Sequence, residues 1–128
     1  MNRYLLDTHV VLWIAVNSPL LSEIAKHAIL DINAEKYVSV VSVWETAIKL
    51  GTSKLNFDGG LPEFYKIIDD NGFKTLHIEK EHLLILGRLP IYHKDPFDRL
   101  IVSTALAEKM RIITIDENIQ KYDVPWIW

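Results

Sequence analysis

"DPFDRLIVSTALAEKMRIITID", Asp95 to Asp116, reads as a helix delivered straight into a strand, and that junction decides the fold class. Asp95 fits the cap position and Pro96 the first helical position, where a missing N–H costs nothing. "RIITID" then reads as a short strand closed by an acid. The same alternation extends outward in both directions. "RYLLD" (Arg3 to Asp7) reads as a buried strand, "HVVLWIAVN" as an apolar helix and "SEIAKHAILDIN" as an amphipathic helix capped by Ser22. "KYVSVVS" is a β-branched strand running into Ser42, followed by the helical "VWETAIKLG" with its stop at Gly51. "GGLPE" is a turn before the helix "EFYKIIDDNG"; "FKTLHI" is a strand, "EKEHLLILGRL" a helix stopped by Pro90, and "VPWIW" a short closing strand. Strands separated by helices need crossover connections, so the expected fold is α/β, three layers with a mainly parallel central sheet covered on both faces. Ligands of such sheets bind at the carboxyl ends of the strands, where strand order reverses.

The totals agree with one such unit spanning residues 1–128. A 49% hydrophobic content supplies a core, and no repeat, low-complexity tract or linker marks a boundary. The absence of cysteine excludes a disulfide framework, a thiolate zinc site and a thiol nucleophile, which suits a reducing compartment. With no leader-like start and no apolar run of membrane-spanning length, the expectation is a cytoplasmic protein without membrane contact. A net charge of −3 argues against nucleic-acid binding through a broadly basic surface. It leaves open binding through divalent cations held by carboxylates.

Four acids recur at equivalent places in this pattern. Asp7 ends the first strand, Glu45 lies in the first turn after the second, Asp98 lies in the first turn of the "DPFDRL" helix, and Asp116 ends "RIITID". Each has a plain structural explanation. Ser42 with Glu45 fits a capping box, Asp98 stands three residues after Asp95, and Asp7 and Asp116 fit strand-ending turns. Together the four explanations compose poorly, because carboxylates gathered at one edge repel unless cations or raised pKa values relieve them. A hard divalent ion, Mg²⁺ or Mn²⁺, gives that relief. Competing constellations are weaker. The five histidines form no recognised ligand spacing, and His82 reads as a partly buried or surface residue. No phosphate-binding glycine loop, dinucleotide fingerprint or hydrolase elbow occurs. Trp13, Trp44, Ile48 and Leu50 read as core.

The segments "LLDTHVVLW", "SVVSVWETAIKLG", "HKDPFDRLIVSTA" and "IITIDENI" together resemble the PIN-domain ribonucleases, in particular the VapC-like toxins of toxin–antitoxin pairs with a "DPFDR" motif. The resemblance implies a PIN-like fold and a metal-dependent endoribonuclease whose four acids are Asp7, Glu45, Asp98 and Asp116. It places Thr114 in the family's Thr/Ser-x-Asp and Thr8 as the hydroxyl residue after the first acid, both supporting ligands or waters. Asp95 is a further acid of that subgroup, read as a helix cap or as outer support for metal. Carboxylates holding one or two Mg²⁺ or Mn²⁺ ions activate water, and RNA phosphates meet Lys94, Arg99, Lys49 and Lys54. The implied partners are RNA, a cognate antitoxin and a second copy in a homodimer. Two other readings stay open. One is phosphoryl transfer through an aspartyl-phosphate on Asp7, which lacks the usual second Asp two residues on because position 9 is His. The other is a non-catalytic PIN-like interaction domain.

Overall fold

The computed structural model describes residues 2–128 and contains a five-stranded, wholly parallel sheet flanked by helices. In chain order the elements are β1 (Arg3–Leu6), α1 (Thr8–Ala15), α2 (Glu23–Leu30), β2 (Glu35–Ser39), α3 (Val40–Gly51) and α4 (Gly60–Asp70). They continue with β3 (Lys74–Leu76), α5 (Lys80–Leu86), α6 (Pro96–Glu108), β4 (Arg111–Ile113), α7 (Glu117–Gln120) and β5 (Trp126–Ile127). The strand order is β3-β2-β1-β4-β5, so the chain builds outward from β1 on one side and then crosses to the other. The reversal lies at β1, between β2 and β4.

Pleating divides the core. Tyr4 and Leu6 of β1, Val38 of β2 and Ile113 of β4 join Val10, Val11, Ala25, Ile29, Phe64 and Ile68 of α1, α2 and α4 on one face. Leu5 and Ile112 point to the other, where they meet Ile101, Val102 and Ala105 of α6 and Ile119 of α7. Leu5 and Leu6 are both fully buried although they are neighbours, the signature of a strand covered on both sides.

Several boundaries differ from the sequence reading. The strand does not run to Ser42: β2 ends at Ser39, whose hydroxyl accepts from Val41 N and caps α3. Ser42 is therefore inside the helix and makes no capping box, and Glu45 stands in the second turn of α3, not the first. Helix α4 already begins at Gly60, and α5 ends at Leu86, ahead of Pro90. Gly59 and Gly60 both hold positive φ, and a Cβ on Gly59 would sit 2.7 Å from Glu63 Cβ. That glycine pair is needed for the tight entry into α4. The caps at Ser22 and Asp95, with Pro96 at the start of α6, match expectation.

Candidate metal centre

The central strand β1 delivers Asp7 to the carboxyl edge of the sheet. Its backbone N–H extends the ladder to Ile113 O (3.1 Å), which fixes the residue beside β4. Although Asp7 occupies the cap position of α1, its side chain caps nothing. Oδ2 instead accepts from Thr114 Oγ1 at 2.8 Å, and the same Thr114 oxygen accepts from Asp116 N at 3.0 Å. One hydroxyl thus ties the acid after β1 to the acid after β4. Asp116 uses Oδ1 to cap α7 through Asn118 N (2.8 Å). The strand-ending explanation of Asp116 is therefore partly right, and it leaves the second oxygen uncommitted to the cap.

Helix α3 brings Glu45 to the same edge, where only 3% of its surface is exposed. Thr8 Oγ1 lies 2.8 Å from both Glu45 Oε1 and Ser42 Oγ. With a single hydroxyl proton, Thr8 donates to the carboxylate and accepts from Ser42. Glu45 Oε2 accepts from Lys49 Nζ, one turn on, at 2.6 Å. Helix α6 supplies Asp98, whose Oδ2 stands 2.8 Å from His93 Nε2. Asp98 does not complete a box with Asp95. Asp95 Oδ1 alone caps α6, accepting from Phe97 N and Asp98 N.

These groups feel one another. Burial pushes the Asp98 carboxyl up to about 7, and the charges of Asp7, Asp95 and Glu45 push the same way against the hydrogen bond from His93. Asp7 is also raised, by burial first, against the Thr114 hydrogen bond. Lys49 is raised, chiefly by its hydrogen bond to Glu45 and also by Glu45, Asp95 and Asp98 as charges. Burial first, and repulsion from neighbouring carboxylates in addition, thus favour the protonated forms of Asp7 and Asp98. One ligand atom from each of His93, Asp98 and Asp116 lies within 4.8 Å of the others. The carboxylate oxygens gathered there suit a hard, six-coordinate divalent ion such as Mg²⁺ or Mn²⁺. Beside it, a pocket of about 190 Å³ is lined by Asp7, His9, Trp13, Ile115 and Asp116. The larger depression of about 620 Å³, near Phe57 and Glu63, does not touch the cluster.

Other expected residues are placed differently. Lys94 and Lys54 are exposed, while Lys49 is paired to Glu45. Arg99 does not face outward: its guanidinium donates to Pro90 O, Leu89 O and Tyr122 Oη, binding the segment before α6 to the body. His82 is fully buried rather than superficial, because it bridges Glu79 N at the start of α5 to Glu108 on α6. Trp44 (54% exposed) and Ile48 (41% exposed) are surface residues, not core. Trp44 keeps one edge contact, to Phe97 at 4.9 Å. His93 was invisible to ligand-spacing rules because it sits on a loop, where helical periodicity does not apply. Its only sequence signal is its place five residues before Asp98.

The sequence profile of the PIN domain family matches residues 4–125. No curated protein matches the chain. Among solved structures, a chain of DNA-bound VapBC from Salmonella typhimurium superposes with a TM-score of 0.71 at 14% identity, covering 99% of this chain and 98% of that one. A chain of VapBC2 from Rickettsia felis, bound to a promoter DNA fragment, gives 0.69 at 17% identity over 98% and 97%. One of VapBC-1 from nontypeable Haemophilus influenzae gives 0.68 at 19% identity over 98% and 96%.

Proposed function

The chain belongs to the PIN domain family, and from that premise we propose that it is a divalent-metal-dependent endoribonuclease, the toxin of a toxin–antitoxin pair. The observation that carries the reading is the convergence of Asp7, Glu45, Asp98 and Asp116 on the edge where strand order reverses, with Asp7 and Asp98 both raised, by burial first and by neighbouring carboxylate charge in addition. Likeness in fold to chains of VapBC complexes supports the toxin assignment. The chain acts as a single domain in the cytoplasm, paired with itself and held by an antitoxin. No helix among the described residues is long and apolar enough to cross a membrane.

Mg²⁺ or Mn²⁺, when bound, lowers the pKa of water and offsets the negative charge that builds on the scissile phosphate. The protein's part is placement. Asp7 and Asp98 are the principal ligands, and Thr114 fixes the rotamer of Asp7 while joining it to Asp116, which completes the site. Glu45, oriented by Thr8 and Lys49, binds the ion or directs the attacking water. Exposed Lys94 and Lys54 meet RNA phosphates. Because water attacks, no 2′-hydroxyl is consumed and the products carry a 5′-phosphate and a 3′-hydroxyl. Asp7, 3% exposed and hydrogen-bonded by Thr114, is poorly presented as a phosphorylated nucleophile.

The test is end-group analysis of RNA incubated with the purified chain. Cleavage in Mg²⁺ or Mn²⁺, stopped by EDTA, with 5′-phosphate ends, is expected. Cyclic-phosphate ends, or cutting that continues in EDTA, would refute the reading.

A further inference from the structure

His93 belongs to none of the four family acids, yet it reaches into their midst. Its Nε2 lies 2.8 Å from Asp98 Oδ2, and a His93 ring nitrogen shares the 4.8 Å span with Asp98 and Asp116. Groups that share an octahedral ion at roughly 2.1 Å each stand about 3 Å apart when adjacent and about 4.2 Å apart when opposite, so the three are gathered close to the spacing of a shared ion. The imidazole arrives on a segment pinned from two sides. Tyr92 N and His93 N both donate to Tyr122 Oη, at 3.2 and 3.1 Å, and Arg99 grips the carbonyls of Leu89 and Pro90 and the same phenol oxygen. A loop held this firmly presents its side chain in one place, as a ligand requires.

We propose that His93 is a nitrogen ligand of the divalent ion, and that it makes the site favour Mn²⁺, or another ion that accepts imidazole, over Mg²⁺. The inference rests on the metal reading above. Its chemical basis is the donor type: imidazole binds first-row transition ions well, whereas Mg²⁺ prefers carboxylate and water oxygens. The competing role for His93 is a hydrogen bond that only orients Asp98. Such support would serve Mg²⁺ and Mn²⁺ alike.

The experiment titrates the purified, EDTA-stripped chain with MnCl₂ and separately with MgCl₂. Pulsed EPR of the Mn²⁺ form reads nitrogen coupling directly, in wild type, in His93→Gln and in His9→Gln as a control for the other histidine near Asp7. Wild type is expected to show histidine nitrogen coupling, which changes on ¹⁵N-histidine labelling. The coupling is lost in His93→Gln and kept in His9→Gln. Mn²⁺ affinity in His93→Gln falls by about tenfold or more, at least the loss seen when an outer partner of a ligand is removed, while Mg²⁺ affinity changes far less. Mn²⁺ binding without nitrogen coupling, coupling that survives His93→Gln, or equal losses for both ions would overturn the role of His93 and leave the metal centre standing. If His93→Gln fails to fold, the labelled His9→Gln protein decides the matter: coupling kept there assigns the nitrogen to His93, and coupling lost there overturns it. No Mn²⁺ binding to wild type would overturn both readings.

Discussion

Asp98 is the residue on which stability and the proposed metal role pull in opposite directions. Its carboxyl ionises at about 7 in the fold and near 3.8 in a free side chain. Between those values the folded, metal-free protein keeps a proton that the unfolded chain has released, so this group's contribution to stability falls as pH rises through that window. Asp7 is raised as well and acts in the same direction. The metal-free protein is therefore expected to melt higher near pH 5 than near pH 8 as far as these two groups decide. Asp98→Asn should flatten the difference and raise the melting temperature at pH 8 by about 5 °C or more in EDTA. Scanning calorimetry across that range checks both; a melting curve indifferent to Asp98→Asn would mean the cluster is not strained by its own charge. Thr114→Val tests the opposite partner. It removes the one hydroxyl shared by Asp7 and Asp116 N, and a loss of about 1–3 kcal/mol is expected in denaturant titration. Asp7, Asp98 and Asp116 could be placed at the sheet edge from local pattern, because each ends a strand or opens a helix, whereas Glu45 reaches that edge from the second turn of a helix whose start the sequence misplaced. The partners that hold them were legible only in part. Thr8 meeting Glu45 across 37 positions, and His93 meeting Asp98 from a loop, depend on packing that no periodicity encodes.

At the scale of elements, helix capping and the proposed metal ligation fall to different residues at the start of α6. Asp95 accepts two N–H groups of the first turn, so Asp95→Ala should cost about 1 kcal/mol of stability with cleavage largely retained. The far end of the same helix carries a correctable strain. Lys109 caps α6 in the left-handed region at φ 57°, ψ 45°, a conformation that costs a residue with a Cβ about 1 kcal/mol. Lys109→Gly should recover part of that, read as a raised urea midpoint with an unchanged slope. The junction of β2 and α3 shows where sequence reading fails. "VSVVS" is rich in β-branched valine and looks like continuous strand, yet Ser39 caps a helix that starts at Val40. Tertiary packing overrode propensity there, since Val41 and Val43 are buried from a helix. Trp44 and Ile48 are a separate miss. Four apart on α3, they share the face turned to solvent, whereas a face-blind count of apolar residues assigned them to the core.

For the whole molecule, a mainly parallel sheet followed from the alternation of strands and helices, while the strand order β3-β2-β1-β4-β5 needed the structure. Apolar side chains remain exposed on several elements, among them Trp44, Ile48, Leu83, Leu84, Ile91 and Tyr92. Such surface fits a chain that pairs with itself or an antitoxin. Sedimentation at micromolar concentration should give twice the 14.8 kDa chain mass, and a strictly monomeric species would remove the homodimer without touching the site. Under the proposed function, the acids at the reversal point hold a divalent ion that activates water to cut RNA. The most direct measurement compares single-turnover RNA cleavage by wild type and Asp98→Asn in saturating Mn²⁺, with circular dichroism confirming that both are folded. The metal-nuclease reading predicts that Asp98→Asn loses more than roughly 100-fold in rate, beyond the range for displacing an outer partner of a ligand. A folded Asp98→Asn that cleaves at the wild-type rate would contradict it.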